Sequence, residues 1–252
     1  MKSLLKKVLP HRVQNLCRGF LYGRFYVLQR ETDGLLPAKI YERIYNEVRK
    51  LPDLDIVEIG GAAGAASIAI GWAMKRDHKK SKLIIVEKCE GGSRAQYGGR
   101  QDNLMRLERN LKRFRVTDSV VIFPEYLTFE NGQRVLGLLE TRQIAAFMLD
   151  ADGCIHRDFH FFWPRLHPDG LIIVDDYQEA RDAKHDLTFH LLNRLMEWGL
   201  FDMTDRVGST VFGRKPPAGD IRRLDLRACE EVVEMVSRKY GVVFEKAGIV
   251  NQ

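Results

Sequence analysis

The sequence predicts an α/β fold: a seven-stranded, mostly parallel sheet with an antiparallel ending and helices on both faces. Three observations carry this. Short apolar runs alternate with amphipathic stretches along most of the chain, the pattern of successive βαβ units. A glycine-rich turn follows the first apolar run. The last two β-prone runs flank Gly208 with no helix between them, so they pair as an antiparallel hairpin at the sheet edge.

The elements follow in order. Residues 36–50 place Ile40, Ile44 and Val48 at spacing four, a helical face. Pro52 ends it, and DIVEI then runs into Gly60 and Gly61 as a buried strand entering a turn. AAGAASIAIGWAM is an Ala-rich helix, and LIIVE after the KRDHKKSK loop is the second strand. Residues 100–113 form a helix with Leu104, Leu107 and Leu111 on one face. SVVIF is the third strand, 132–142 a helix, and IAAFMLD the fourth strand. A helix around 156–165 precedes HPDG, read as a turn, and LIIVDD is the fifth strand. The long helix at 182–197 presents Leu187, Leu191 and Leu195. PPAG at 216–219 is a linker and 226–240 a C-terminal helix. The expected organisation is a basic N-terminal extension over 1–35, the main domain over 36–215, and a linker with the C-terminal helix over 216–252.

Composition excludes several classes. The 252 residues are 45% hydrophobic and 29% charged, which rules out disorder throughout, collagen and a disulfide scaffold. Cys17, Cys89, Cys154 and Cys229 form no CxxC pair, so a reduced, cytoplasmic compartment is expected and a cysteine zinc site is not. No apolar run approaches the roughly 20 residues that span a bilayer. The net charge is +6, and residues 1–30 hold seven lysines and arginines with no acid before Glu31. That segment is too broken by charge and by Pro10 for a secretory signal. It is read as a solvated extension packing on its own domain or on a second subunit, with peripheral contact to an anionic membrane surface as the alternative. Nucleic acid is not expected as a partner: the acids at the strand ends oppose a phosphate backbone, and no aromatic-basic platform is present.

The turn Glu58-Ile59-Gly60-Gly61-Ala62-Ala63-Gly64 lets a ligand approach the backbone closely at a helix start. It reads ExGxxxG, where a dinucleotide fingerprint would read GxGxxG. The acid on the strand disfavours a pyrophosphate and favours a cationic ligand, such as a sulfonium that also carries an amino group. Glu87 ends the second strand, where a carboxylate reaches the hydroxyls of a ribose lying across the sheet's switch point. Glu125 and Tyr126, after the third strand, lie where an adenine edge could be read.

Asp150 and Asp152 close the fourth strand, and Asp175 and Asp176 the fifth. Parallel strands bring these ends to one edge. Converging carboxylates repel unless a cation joins them, and oxygen ligands suit Mg²⁺. Such an ion would hold a substrate hydroxyl, lower its pKa and fix it against a methyl donor. His156 and His160, at spacing four, lack an obvious third ligand for zinc. His156 is kept as a reserve general base.

On VEIGGAAGAAS (57–67), LIIVE (83–87), MLDADG (148–153), HPDGLIIVDDY (167–177) and RVGSTVFGRK (206–215), the chain resembles the class I S-adenosylmethionine-dependent methyltransferases. It is most similar to macrocin-type sugar O-methyltransferases and, more distantly, to catechol O-methyltransferase. The resemblance implies a Rossmann-like sheet and methyl transfer to a hydroxyl of a small molecule, a sugar or natural-product glycoside. It implies that Glu58, Gly60 and Gly64 line the methionine end of S-adenosylmethionine and that Glu87 holds the ribose. Ser67, Glu125 and Asp150 complete the expected cofactor set. It further implies Mg²⁺ on Asp150, Asp175 and Asp176, with Asp152 as base on the acceptor. The chain departs from the family pattern at Ala66, where a serine is usual, at Gly153, where a histidine is frequent, and in reading PDG for PGG. The competing reading is a non-catalytic S-adenosylmethionine-binding domain docking a partner or membrane through its basic N-terminus.

Overall fold

Strand β1 (Asp55–Ile59) is buried along its whole length, as a central parallel strand covered on both faces must be. Its neighbours are β2 (Leu83–Val86) and β4 (Ile144–Leu149), both parallel to it. The computed structural model describes residues 22–89 and 100–244, without the side chains of residues 100 and 101. Residues 1–21, which hold most of the basic N-terminal segment and Cys17, and residues 90–99 of the loop after β2 lie outside the described residues.

The sheet order is β3-β2-β1-β4-β5-β7-β6, with β3 at Val120–Phe123, β5 at Leu166–Val174, β6 at Asp202–Val207 and β7 at Thr210–Arg214. The first five strands of that order are parallel; β7 is antiparallel to both β5 and β6. The expected seven strands and the antiparallel ending are present. The edge strand β6 alternates between exposed and half-buried positions, as a strand with one wet side does.

Period-two alternation sorts the strand residues between two cores. Ile56, Ile85, Met148, Ile173 and Phe212 face one. Here they meet α1 (22–31), α2 (Ala38–Arg49), α3 (Ala65–Arg76) and α4 (Arg100–Arg113), through Phe25, Leu28, Ile44, Ile68 and Leu107. Val57, Ile84, Phe147, Ile172 and Val211 face the other. They pack on α5 (Gly132–Leu136), α6 (Ile155–Phe162), α7 (Ala183–Glu197) and α8 (Leu226–Tyr240). Helix α1, within the segment expected to be an extension, is therefore part of the first core; Phe25 lies 5.5 Å from the Tyr45 ring. Helix α8 covers the second face with Cys229 and Val236, and Lys239 reaches Asp186 of α7 at 2.7 Å.

Two boundaries differ from the sequence reading. The helix expected over 132–142 ends at Leu136, because Gly137 follows and Leu138 and Leu139 turn inward as loop residues that pack on the second core. Strand β5 begins at Leu166 and not after HPDG: Leu166 pairs with Ile144, and the turn-like residues form an irregularity in the register before Leu171 pairs with Ala146. Among the described residues no helix is long and apolar enough to cross a membrane.

Candidate active site

The strand order reverses at β1, between β2 and β4, and there the carboxyl ends of the strands splay a crevice. The turn after β1 forms its floor. Gly60 donates from N to the Val86 carbonyl at 2.9 Å, and Asp150 donates from N to the Ile59 carbonyl at 2.9 Å. Gly60 has φ +94°, and a Cβ there would lie 2.3 Å from the Asp150 carbonyl oxygen. Only glycine fits that approach. Gly64 caps α3 with φ +87°, and a Cβ there would press on Leu107 at 2.8 Å.

Above the turn lies a cleft of about 350 Å³ lined by Gly60, Ala62, Glu87, Glu125, Tyr126, Asp150, Asp152, Arg157 and Lys184, among others. A recess of about 30 Å³ adjoins it and shares Leu35, Gly60, Ala62 and Asp150; Glu58 lines its inner wall. Glu58 is buried and accepts a 2.5 Å hydrogen bond from the Ser67 hydroxyl. Burial pushes its carboxyl up to about 8; the Ser67 bond opposes this, and the charges of Asp150 and Glu87 add to it. Glu87 accepts from the Ala62 amide at 2.6 Å and the Cys89 amide at 3.0 Å. One amide of the turn is thus already occupied by a carboxylate, which leaves the loop poorly suited to a phosphate. Ser67 contributes by holding Glu58 and is not among the residues lining the cleft.

Glu125 lines the cleft, with its carboxylate forked onto Arg134 by two 2.8 Å bonds. Asp152 also faces it, but its oxygens are engaged. Arg157 donates to it at 2.9 and 3.4 Å, the Cys154 amide at 2.9 Å, and the Tyr126 hydroxyl also donates to it. Burial alone would raise the Asp152 carboxyl; Arg157 and Tyr126 overcome it and hold the group down at about 2. That makes Asp152 a weak proton acceptor in this arrangement. Arg157 is itself only 1% exposed and bridges Asp152 to Asp158, whose carboxyl burial raises to about 6. His156 is set apart: it is fully buried on α6 with Nε2 3.3 Å from Glu230 of α8, and it is not among the residues lining the cleft.

Asp150, Asp175 and Asp176 converge as the strand ends suggest, each offering an oxygen within 4.8 Å of the others. The donor set suits a hard cation. A cation of the chain's own already stands there. The Lys184 ammonium lies 3.1 Å from Asp150 Oδ1 and 2.5 Å from Asp176 Oδ2. His185 Nε2 sits 2.8 Å from Asp176 Oδ1, and Asp175 Oδ1 accepts from Thr210 at 2.5 Å and Ser209 at 3.3 Å. A divalent ion would have to displace the ammonium, so the arrangement as it stands does not fit the expected Mg²⁺. Burial raises Asp150 to about 7; Lys184 opposes this, and Asp175 and Asp176 reinforce it. Burial would lower the Lys184 ammonium, but Asp150 and Asp176 raise it overall.

Lys184, His185 and Arg157 were not singled out from the sequence. For Lys184 a signal exists: it is the second residue of α7, at the positive end of the helix dipole, where a cation is disfavoured unless carboxylates are near.

A mostly parallel sheet with β7 inserted antiparallel between β5 and β6, and a strand-end cleft over a glycine turn, define the class I methyltransferase architecture. Residues 57–177 match the family model described as a methyltransferase domain. Over those residues the chain is similar to that methyltransferase domain, on a Rossmann-like methyltransferase fold. None of the curated proteins compared matches it. Among solved structures it is similar to the O-methyltransferase TomG of Streptomyces achromogenes, involved in tomaymycin synthesis and bound to SAM. That likeness has a TM-score of 0.59 and 15% identity over 81% of this chain and 96% of the other. It is also similar to a SAH-bound methyltransferase of Podospora anserina, with TM-score 0.55 and 13% identity over 82% and 98% of the two chains. A Bacillus cereus O-methyltransferase in complex with SAH gives 0.53 and 12% over 85% and 96%. At these identities the likeness is one of fold.

Proposed function

We propose that the chain transfers a methyl group from S-adenosylmethionine to a hydroxyl oxygen of a small acceptor, a sugar or natural-product glycoside. The observation that carries this is the acidic lining at the switch point. Glu58, Glu87 and Asp150 surround a glycine turn that is short of free amides for a phosphate. A ligand with an ammonium and a sulfonium favours the charged form of these crowded carboxyls; a pyrophosphate would oppose it. In this reading Glu58 and Asp150 face the methionine end and Glu87 takes the ribose hydroxyls. The cleft between Glu125 and Tyr126 receives the base. The O-methyltransferases of similar fold whose structures hold SAM or SAH support the choice of donor and of oxygen as acceptor.

In the transfer, a lone pair of the acceptor oxygen attacks the methyl carbon. The carbon–sulfur bond breaks, its electron pair stays on sulfur, and the sulfonium becomes a neutral thioether. The hydroxyl proton passes to a carboxylate on the cleft wall, of which Asp150 is the more basic and Asp152, clamped by Arg157, the less. Holding donor and acceptor in line supplies most of the remaining acceleration. No step requires the Mg²⁺ expected at Asp150, Asp175 and Asp176, where Lys184 stands.

Calorimetry tests the reading. S-adenosylmethionine and its demethylated product should bind and raise the melting temperature, and NAD should do neither. Glu87→Ala should weaken cofactor binding by about 1–3 kcal/mol through lost hydrogen bonds. Tight NAD binding with no response to either methionine compound would refute it, and unchanged affinity in Glu87→Ala would remove Glu87 from the site. Methyl transfer from labelled cofactor to a panel of glycosides then identifies the acceptor.

A further inference from the structure

We propose that Lys184 is the resident cation of the strand-end carboxylates: its ammonium takes the place of a divalent ion between Asp150 and Asp176, and the protein binds its ligands without one. This inference rests on the methyltransferase reading for its importance, but the cation position stands on geometry alone.

Three strands' worth of sequence converge on the point. Asp150 follows β4, Asp175 and Asp176 follow β5, and Thr210 opens β7. Lys184 enters from the first turn of α7, whose N-cap Asp182 accepts from the His185 amide at 3.0 Å and from His185 Nδ1 at 2.6 Å. Asp176 adopts φ +61°, a left-handed conformation that aspartate tolerates better than most residues. There its two oxygens divide between Lys184 and His185, at 2.5 and 2.8 Å. Asp175 is committed to Thr210 and Ser209. A divalent ion sharing Asp150 and Asp176 would stand within a few ångströms of the ammonium, and the repulsion makes the two occupants mutually exclusive. Lysine is a compact point charge with three donors, suited to standing in for an ion among carboxylates. Two of those donors reach Asp150 and Asp176. Lys184 also lines the cleft, so this fixed positive charge borders the space where the acceptor oxygen is read to sit.

The test uses the full chain with Mn²⁺ as probe, the free ion being followed by electron paramagnetic resonance, and S-adenosylhomocysteine binding measured on the same samples in EDTA. Wild-type protein and Lys184→Arg should take up no stoichiometric Mn²⁺. Lys184→Met should gain affinity for it by roughly tenfold or more, and the further change Asp176→Asn should abolish the gain. Stoichiometric Mn²⁺ binding by the wild type overturns the proposal, whether or not Lys184→Met folds. So does a folded Lys184→Met that gains nothing, since the carboxylates would then hold no cation position for Lys184 to fill. Absence of S-adenosylhomocysteine binding in both EDTA and Mn²⁺ would instead sink the methyltransferase reading and leave the Mn²⁺ result to decide the cation. Cofactor binding that appears only with Mn²⁺ overturns the proposal.

Discussion

Replacing Glu58 by glutamine should make the ligand-free protein more stable, and only above a definite pH. Glu58 is 1% exposed and its carboxyl is raised from an ordinary 4.5 to about 8. In the unfolded chain it loses its proton near 4.5; in the folded chain it keeps it to about 8. The unfolded state therefore binds fewer protons throughout that window, and stability falls as pH rises across it. The contribution is fully present below 4.5, is lost progressively, and is gone above 8. At 1.36 kcal/mol per pK unit the loss is on the order of 3 kcal/mol at pH 7 and 5 at pH 9, as upper values. Glutamine keeps the shape and an acceptor for the Ser67 hydroxyl but cannot ionise. Urea unfolding of wild type and Glu58→Gln at pH 5, 7 and 9 should show curves that coincide near pH 5 and separate in favour of the variant at pH 9. The opposite is expected of cofactor affinity: the wild type should bind S-adenosylmethionine more tightly as pH rises towards 8, with a shallower rise in Glu58→Gln. A pH slope of stability identical in the two proteins would refute the buried, charge-crowded placement of Glu58.

Gly60→Ala should cost about 1–3 kcal/mol from the backbone conformation alone, and more from the approach of its Cβ to the Asp150 carbonyl; an unchanged melting temperature would refute that contact. Arg157→Met should destabilise the fold by about 3–5 kcal/mol by leaving Asp152 and Asp158 buried without their counter-charge. In the wild type the depressed Asp152 gives stability that is present above its unfolded value and lost as pH falls through about 2; in the variant both acids resist ionisation, so the loss should be larger at pH 8 than at pH 5. A small, pH-independent loss measured by urea unfolding would count against the triad.

Where the sequence carries a strong local signal, the structure follows it. Helix α4 spans the expected 100–113, because leucines at spacing three and four fit a helical face and nothing interrupts them. The β1 turn was legible because Gly60 sits where backbone meets backbone. The short α5 was not: Leu138 and Leu139 continue an apolar pattern that tertiary packing, and not a helix, satisfies. The strand-end acids Glu87, Asp150, Asp175 and Asp176 were legible because a parallel sheet places its carboxyl ends together. What they bond to was not. Arg157 arrives from a helix whose orientation depends on the assembled sheet, and the place of Lys184 at a helix start signals a need for carboxylates without saying which ones. Asp152 shows the same limit, since its position at the cleft could be read but its engagement with Arg157 and Tyr126 could not.

The hairpin that ends the sheet also sets an order of assembly. Because β7 runs against β5, its first residues, not its last, lie beside the carboxyl end of β5, and Thr210 meets Asp175 there. During synthesis β5 has an unpaired edge until β7 emerges, and that edge is a template for unwanted pairing. Closing it requires β7 to settle between β5 and β6, a contact that no fragment ending before residue 210 can make. The edge that carries the strand-end acids is thus the last part of the sheet to be completed. A chain released early would present a nearly finished sheet, a complete glycine turn and an Asp175 without its hydroxyl partner. Such a product is expected to aggregate through β5 and never to act as a slow enzyme.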